Sequence, residues 1–145
     1  MRKIDYIVVH CSAGSSTQKT TDILKYWRDK LGWKGVGYHY LIDGEGCVEQ
    51  LVDEEVITNG VKGYNHNSIH ICYKGGWNGK DTRTEQQKSA LKTRLKILKI
   101  KYPKAKIVGH RDLSEDKNNN GIIEKFEWVK LCPCFDAINE YKDIV

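Results

Sequence analysis

Two short apolar runs, each ending on a histidine, constrain the fold most strongly. Residues 4–9 are rich in β-branched side chains and lead to His10, and residues 106–109 lead to His110. Runs of this length and composition are typical of buried strands. Because the carboxyl ends of strands in α/β sheets carry the functional sites, we expect His10 and His110 to lie together at one edge of a sheet.

Helical and extended patterns alternate along the rest of the chain. In chain order, the sequence predicts a helix over 21–31, a hairpin of strands over 37–42 and 47–51, a strand over 68–73, a helix over 84–102 and a short helix over 135–141. Together with the two strands that end on histidine, this order indicates an α/β fold. We expect a single domain whose central mixed β-sheet of about five strands is flanked by helices.

Apolar residues at helical spacing mark the helix faces that we expect to be buried. These residues are Ile23, Leu24, Trp27 and Leu31 in the first helix, Leu91, Leu95 and Leu98 in the second, and Phe135 and Ile138 in the last. Thr20, Thr21 or Asp22 is expected to cap the first helix, and Gly32 to end it. Thr84 is expected to open the second helix in a capping box with Gln87.

The composition is typical of a compact protein and excludes several classes. The chain has 145 residues, of which 39% are hydrophobic and 30% charged, so it is neither disordered nor collagen-like. No apolar run approaches the roughly 20 residues that cross a bilayer, so we expect no membrane association. Asp5 interrupts the apolar start and no small-residue cleavage site follows it, so we interpret residues 1–10 as a strand rather than a signal peptide. We therefore expect synthesis in the cytoplasm.

The net charge leaves two kinds of polyanionic partner open. Lys and Arg number 24 against 19 Asp and Glu, a formal charge of +5, which suits nucleic acid and anionic wall polymers alike. The lysines of the 84–102 helix, however, have the spacing of an ordinary solvated polar face. They are Lys88, Lys92, Lys96 and Lys99. We therefore rank nucleic acid last among the partners and predict no nucleic-acid binding.

Three residues have the chemistry of a catalytic zinc site. Such sites use three protein ligands drawn from histidine, cysteine and carboxylates, and they keep one position open for water or substrate. His10, His110 and Cys132 meet that demand. Taken one at a time, each has a more ordinary interpretation, as a buried polar residue, a turn residue and a small core residue. The five cysteines are an odd number, which makes a full disulfide framework unexpected.

Five local sequences together resemble one family. They are VVHCSA at 8–13, GVGYHY at 35–40, KGYNHNSI at 62–69, GHRD at 109–112 and KLCPCFD at 130–136. In this order they resemble the zinc-dependent N-acetylmuramoyl-L-alanine amidases of the phage-lysozyme and peptidoglycan-recognition-protein type. The resemblance implies one catalytic domain over 1–145. It also implies hydrolysis of the amide bond between N-acetylmuramic acid and L-alanine in bacterial cell-wall peptidoglycan.

Carried over residue by residue, the resemblance makes His10, His110 and Cys132 the zinc ligands and puts Tyr38 and Lys130 in the catalytic positions. A lysine is suited to the negative charge that develops on a tetrahedral oxyanion. A phenol with an ordinary pKa near 10 is a poor base at neutral pH, so we expect Tyr38 to position water. The expected protein is a monomeric lytic enzyme of phage or prophage type that acts on the wall after release.

The sequence departs from the family pattern at two places. Gly60 and Val61 stand where relatives often have a His-Ala pair, and His70 stands where many members have glycine. Neither place belongs to the ligand set, and we assign no catalytic role to His66 or His70. Both departures affect the expected substrate contacts. They keep open the alternative of a non-catalytic module that recognises muropeptide without cutting it.

The segment DKNNNGIIEKFE at 116–127 matches the twelve-residue calcium loop and is interpreted as an insertion in the domain. Asp116, Asn118 and Asn120 occupy ligand positions one, three and five, Ile122 offers its carbonyl, and Glu127 is the bidentate twelfth residue. A polar surface turn is the ordinary alternative. We predict a Ca²⁺ site here, and we expect its affinity to be modest because two asparagines replace aspartates. Its expected role is to stabilise the segment that leads back to Lys130 and Cys132.

Overall fold

The computed structural model describes residues 2–145. This part of the chain contains five strands and three helices, besides short 3-10 turns and the loops that connect them. The strands are β1 (Tyr6–Cys11), β2 (Tyr40–Ile42), β3 (Val48–Gln50), β4 (Ser68–Tyr73) and β5 (Lys106–Gly109). The helices are α1 (Thr20–Asp29), α2 (Glu85–Lys101) and α3 (Ala137–Glu140). The α/β fold with one mixed sheet of five strands is confirmed.

The sheet has the order β3-β2-β4-β1-β5, with β1 between two parallel partners. Strand β1 pairs in parallel with β4 and β5, and β2 pairs in parallel with β4. The predicted hairpin is confirmed as the antiparallel pair of β2 and β3, although both strands are shorter than expected. In the register of β1 with β5, Val9 lies opposite Gly109, so the residues that follow both strands emerge side by side.

The two faces of the sheet are buried against different helices, because successive side chains of a strand point to opposite faces. Ile7 and Val9 of β1 belong to the core cluster that contains Leu91, Leu95 and Leu98 of α2. On the other face, Ile23 and Trp27 of α1 pack with Leu41 and Cys72. His10 follows Val9 and therefore projects toward the α1 side of the sheet.

Helix α2 begins where the sequence predicted. Thr84 Oγ1 accepts from the Gln87 N–H at 3.0 Å, and Gln87 Oε1 accepts from the Thr84 N–H at 3.0 Å, which completes the capping box. The Gln87 amide also donates to the Lys74 carbonyl at 2.8 Å and so ties the start of α2 to the chain that follows β4.

Two expectations about the ends of α1 and one about the buried face of α3 were wrong. Helix α1 ends at Asp29, which leaves Leu31 43% exposed beside the left-handed Gly32. Its N-cap is Lys19, which makes no side-chain capping bond. Helix α3 is a single turn anchored by the buried rings of Phe135 and Tyr141 on either side, and this orientation leaves Ile138 49% exposed. No helix among residues 2–145 is long and apolar enough to cross a membrane.

We expect Leu95→Ala to lower the free energy of unfolding by about 2–5 kcal/mol, because it leaves a cavity between α2 and the sheet. Leu95 is fully buried, whereas Ile100 on the same helix is 83% exposed. The control Ile100→Ala should therefore change stability by less than about 0.5 kcal/mol. Urea denaturation of both variants measures the difference. Equal losses would contradict the packing described for α2.

Candidate metal centre and active-site cleft

His10, His110 and Cys132 come together at the carboxyl ends of β1 and β5. One ligand atom from each of the three residues lies within 4.8 Å of the other two. The rings of His10 and His110 have centroids 4.9 Å apart, as the parallel register of their strands requires. The Cys132 Sγ atom lies 3.8 Å from His10 Nδ1. This is the one group of three or more potential metal ligands of the types His, Cys, Asp and Glu among residues 2–145.

Backbone hydrogen bonds bring Cys132 back to the two strands from a distant part of the chain. The N–H of Cys11 donates to Cys132 Sγ at 3.2 Å, and the N–H of Arg111 donates to the Cys132 carbonyl at 3.0 Å. The next residue, Pro133, follows a cis peptide bond and packs where a Cβ at Gly109 would stand. The loop that carries Cys132 is thus held at the ends of both β1 and β5.

The donor set fits a zinc ion. Zinc lies about 2.0–2.3 Å from nitrogen and sulfur ligands, so two ligands of one ion are roughly 3–4 Å apart, and the 3.8 Å between Cys132 Sγ and His10 Nδ1 falls in that range. Burial lowers the pKa of His10 well below its ordinary value. Burial and the charge of Lys130 lower the pKa of His110 to about 4. Both imidazoles are therefore neutral at neutral pH and offer a lone pair.

The buried thiol of Cys132 is a further reason to expect a cation at this position. Burial raises the pKa of Cys132 well above the ordinary value of a thiol. A buried thiolate needs a compensating positive charge, which a divalent metal supplies directly. The N–H of Cys11 already points at this sulfur, as a hydrogen bond to a thiolate ligand would require.

A cleft of 430 Å³ is lined by His110 and Cys132, whereas His10 is completely buried and is not part of the lining. Its floor includes His110 and Cys132, and its wall includes Trp27 and Trp33, whose rings are stacked with centroids 6.0 Å apart. Lys130 also lines the cleft. A pocket with a broad aromatic wall and a few convergent polar groups is the usual form of a ligand-binding site.

Tyr38 lines the same cleft, between the metal ligands and the aromatic wall. Its ring centroid is 4.7 Å from that of His10 and 5.4 Å from that of Trp27. Burial raises the pKa of the Tyr38 phenol well above its ordinary value. The hydroxyl, which is hydrogen-bonded with Cys72, therefore remains protonated at neutral pH, and this argues against a role as a base.

Sequence reasoning missed His70 as a neighbour of the metal ligands. The Nδ1 atom of His70 lies 2.9 Å from His10 Nε2, and both rings are completely buried. The departure from glycine at this position was the available signal, but it was interpreted as an effect on substrate contacts. His66, in contrast, is exposed and lies outside the cleft.

The segment 116–127 lies apart from the cleft lining and is mostly exposed. Asp116 Oδ2 accepts from the Gly121 N–H at 2.7 Å, and the amides of Asn118 and Asn120 both donate to Glu124 Oε1. Glu127 is completely buried. The side chains at positions three and five are thereby hydrogen-bonded to Glu124 at position nine, which adds Glu124 to the residues selected from the sequence.

Comparison with known proteins gives consistent matches. A family model described as N-acetylmuramoyl-L-alanine amidase matches residues 1–122, a stretch that contains His10 and His110 and ends before Cys132. The endolysin of Enterobacteria phage K11 is 36% identical over 136 residues, which cover 88% of this chain and 79% of that protein.

Solved structures show the same architecture. The Ph2119 endolysin of a Thermus scotoductus MAT2119 bacteriophage superposes with a TM-score of 0.76 at 26% identity, over 92% of this chain and 79% of that one. Drosophila PGRP-LB superposes with a TM-score of 0.73 at 20% identity, over 99% of this chain and 82% of that one.

Proposed function

The chain belongs to the N-acetylmuramoyl-L-alanine amidase family and cleaves peptidoglycan, and we propose that it does so as a zinc hydrolase with His10, His110 and Cys132 as ligands. The observation that carries the zinc proposal is the convergence of two neutral imidazoles and one thiol, of which His110 and Cys132 line a cleft. Three protein ligands leave one coordination position free for the reaction, as in catalytic zinc sites.

A zinc ion in this place would polarise the scissile carbonyl and lower the pKa of the attacking water. The protein residues supply the rest of the chemistry. Lys130 faces the cleft and supplies a positive charge for the oxyanion that develops during attack. Tyr38 keeps its proton and holds the attacking water by a hydrogen bond.

The aromatic wall orients the substrate. The half-buried ring of Trp33 lines the cleft and is stacked on the buried Trp27, and His110, Cys132 and Lys130 form polar parts of the same lining. An aromatic surface of this kind is suited to the apolar face of a sugar or peptide, while the polar parts receive the amide. The bond that is cut is the amide between N-acetylmuramic acid and L-alanine.

We propose that the protein is an endolysin-type lytic enzyme, and that it acts as a monomer on the cell wall after release. Its formal charge of +5 favours approach to an anionic wall. The second candidate is a module that binds muropeptide without cleaving it. Cys132 favours the enzyme, because its sulfur completes a three-ligand set that a binding module does not need.

We expect Cys132→Ala to lose both bound zinc and wall lysis, because two ligands hold zinc poorly. Lys130→Ala should keep the zinc and lower kcat by about 10²–10³-fold, since removal of an oxyanion-stabilising group has effects of that size. Metal analysis and the release of new L-alanine amino termini from purified wall measure the two properties separately.

The matched control is Lys96→Ala, which removes an exposed lysine on α2 outside the cleft and should leave zinc content and activity unchanged. Activity that survives Cys132→Ala would refute the ligand set. Wall binding by the wild-type protein without new amino termini would favour the recognition module instead.

We propose further that the loop 116–127 binds Ca²⁺. Among its carboxylates, Asp116 has an oxygen, Oδ1, that is buried without a hydrogen-bond partner. Glu127 is fully buried, and both its oxygens accept backbone N–H groups of the loop, from Lys117 and Glu124. A buried carboxylate oxygen without a hydrogen-bond partner, such as Asp116 Oδ1, is stabilised by a cation. Gly121, with φ of +80°, supplies the left-handed turn at position six.

Calcium titration of the zinc-loaded protein tests this loop. With two asparagines among its ligands we expect a Kd of about 10⁻⁴–10⁻³ M, together with a higher melting temperature and higher activity at millimolar Ca²⁺. Asp116→Asn should abolish the shift, whereas Glu115→Gln, an exposed carboxylate just before the loop, should retain it. No change of melting temperature or activity on adding Ca²⁺ would refute the proposed bracing role.

A further inference from the structure

A chain of hydrogen bonds runs from the metal ligand His10 into the protein interior. His10 Nε2 lies 2.9 Å from His70 Nδ1, and His70 Nε2 lies 2.9 Å from Asn65 Oδ1. The backbone N–H of Val61 donates to the same Asn65 oxygen at 2.8 Å. Neither imidazole has any exposed surface, so water cannot replace these partners.

The donor and the acceptor of each hydrogen bond in this series follow from the bond at its interior end, between the Val61 N–H and Asn65. A backbone N–H can only donate, so the Asn65 atom that Val61 faces is the amide oxygen, which can only accept. His70 Nε2 must therefore carry a proton. In a neutral ring His70 Nδ1 is then an acceptor, and it receives the proton of His10 Nε2.

The proposed metal site, at the other end of this series of hydrogen bonds, requires the same proton position on His10. With its proton on Nε2, a neutral His10 has its lone pair on Nδ1, which is the atom 3.8 Å from Cys132 Sγ. A metal ligand needs this lone pair, and the proton on the other nitrogen needs an acceptor. The hydrogen bonds behind His10 and the metal site in front of it thus select the same tautomer.

The strand register places His70 for this contact. His70 of β4 lies opposite Val8, and His10 is two residues further along β1 on the same face of the sheet. His39 holds His70 from behind, because His39 Nδ1 accepts the His70 backbone N–H at 3.0 Å and the two rings are stacked 6.1 Å apart. His39 in turn donates through Nε2 to the Val56 carbonyl at 2.7 Å.

Gly60 provides the space that the His70 ring occupies. A Cβ at position 60 would lie 2.3 Å from His70 Nδ1 and 2.4 Å from its Cγ, far inside van der Waals contact. The backbone of Gly60 has no positive φ, so the demand at this position is for space rather than for conformation. The imidazole at position 70 therefore depends on the absence of a side chain at position 60.

We infer that His70 is a positioning residue that fixes the orientation and tautomer of the zinc ligand His10, and that Gly60 is present to admit its ring. This inference rests on the proposed zinc site. It extends that site from its three ligands to a hydrogen-bonded chain that ends on the backbone of Val61. Partners of this kind orient ligand histidines and commonly change metal affinity by roughly 10–100-fold when removed.

Histidine tautomers in the wild-type protein provide a test that needs no variant. Long-range ¹H–¹⁵N NMR spectra of the zinc-loaded protein should show His10 and His70 both neutral and both protonated on Nε2. A spectrum with His70 protonated on Nδ1 would overturn the inference, because His70 could then not accept from His10. A wild-type protein that binds no zinc would overturn the proposed function, and this inference with it.

Variants at position 70 distinguish a role of His70 as hydrogen-bond acceptor for His10 from a role in filling space in the core. We expect His70→Leu, which fills the space but has no acceptor, to weaken zinc binding by roughly 10–100-fold in competition with a chelator. His70→Gln has both an acceptor and a donor and should recover most of that affinity. His66→Leu removes an exposed histidine and is the matched control. Equal zinc affinity in wild type and His70→Leu would overturn the inference, even if the melting temperature fell.

The pairing of positions 60 and 70 is tested by a double-mutant cycle. Gly60→Ala should weaken zinc binding and lower the melting temperature of the metal-free protein, because the new methyl group displaces the His70 ring. In a His70→Gly background, Gly60→Ala should cost little stability, since the ring is absent. An equal loss of stability in both backgrounds would overturn the assignment of Gly60.

Discussion

The parallel pairing of β1 with β5 is the constraint on which the site depends. It sets Val9 opposite Gly109, so that the next residue of each strand is a histidine and the two imidazoles emerge at the same edge. The same strand end carries the Cys11 N–H that binds Cys132 Sγ. A slip of one residue in β1 would reverse the face of every side chain in the strand and separate His10 from His110 and Cys132.

Polar groups buried on the α1 side of the sheet connect the site to the loop between β3 and β4. His10, His39 and His70 have no exposed surface, and buried polar atoms require hydrogen-bond partners. Those partners are the Val56 carbonyl and the Asn65 amide, which both belong to this loop. The loop and the histidines therefore hold each other in place, and the loop supports the orientation of His10, the proposed zinc ligand.

Local patterns predicted most of the fold, but contacts distant in sequence were beyond them. Strand β1 and helix α2 follow from an apolar run and from the Thr84 capping box. Leu31 was placed wrongly because a helix end depends on the chain that follows it. The approach of Cys132 to His10 spans 122 positions; donor chemistry made it possible, and the family resemblance indicated it. The contact of His70 with His10 was not predicted, because it depends on the strand register and on the space at Gly60.

The loop 116–127 lies between two segments that carry site residues, and its base is closed by hydrogen bonds. Ser114 Oγ accepts from the Val129 N–H at 3.0 Å and donates to the Arg111 carbonyl at 2.7 Å. Arg111 in turn binds the Cys132 carbonyl through its own N–H. These hydrogen bonds connect the base of the loop to Lys130, which directly follows Val129. A cation that rigidified the loop would act on the site through these bonds rather than through any direct contact with the substrate.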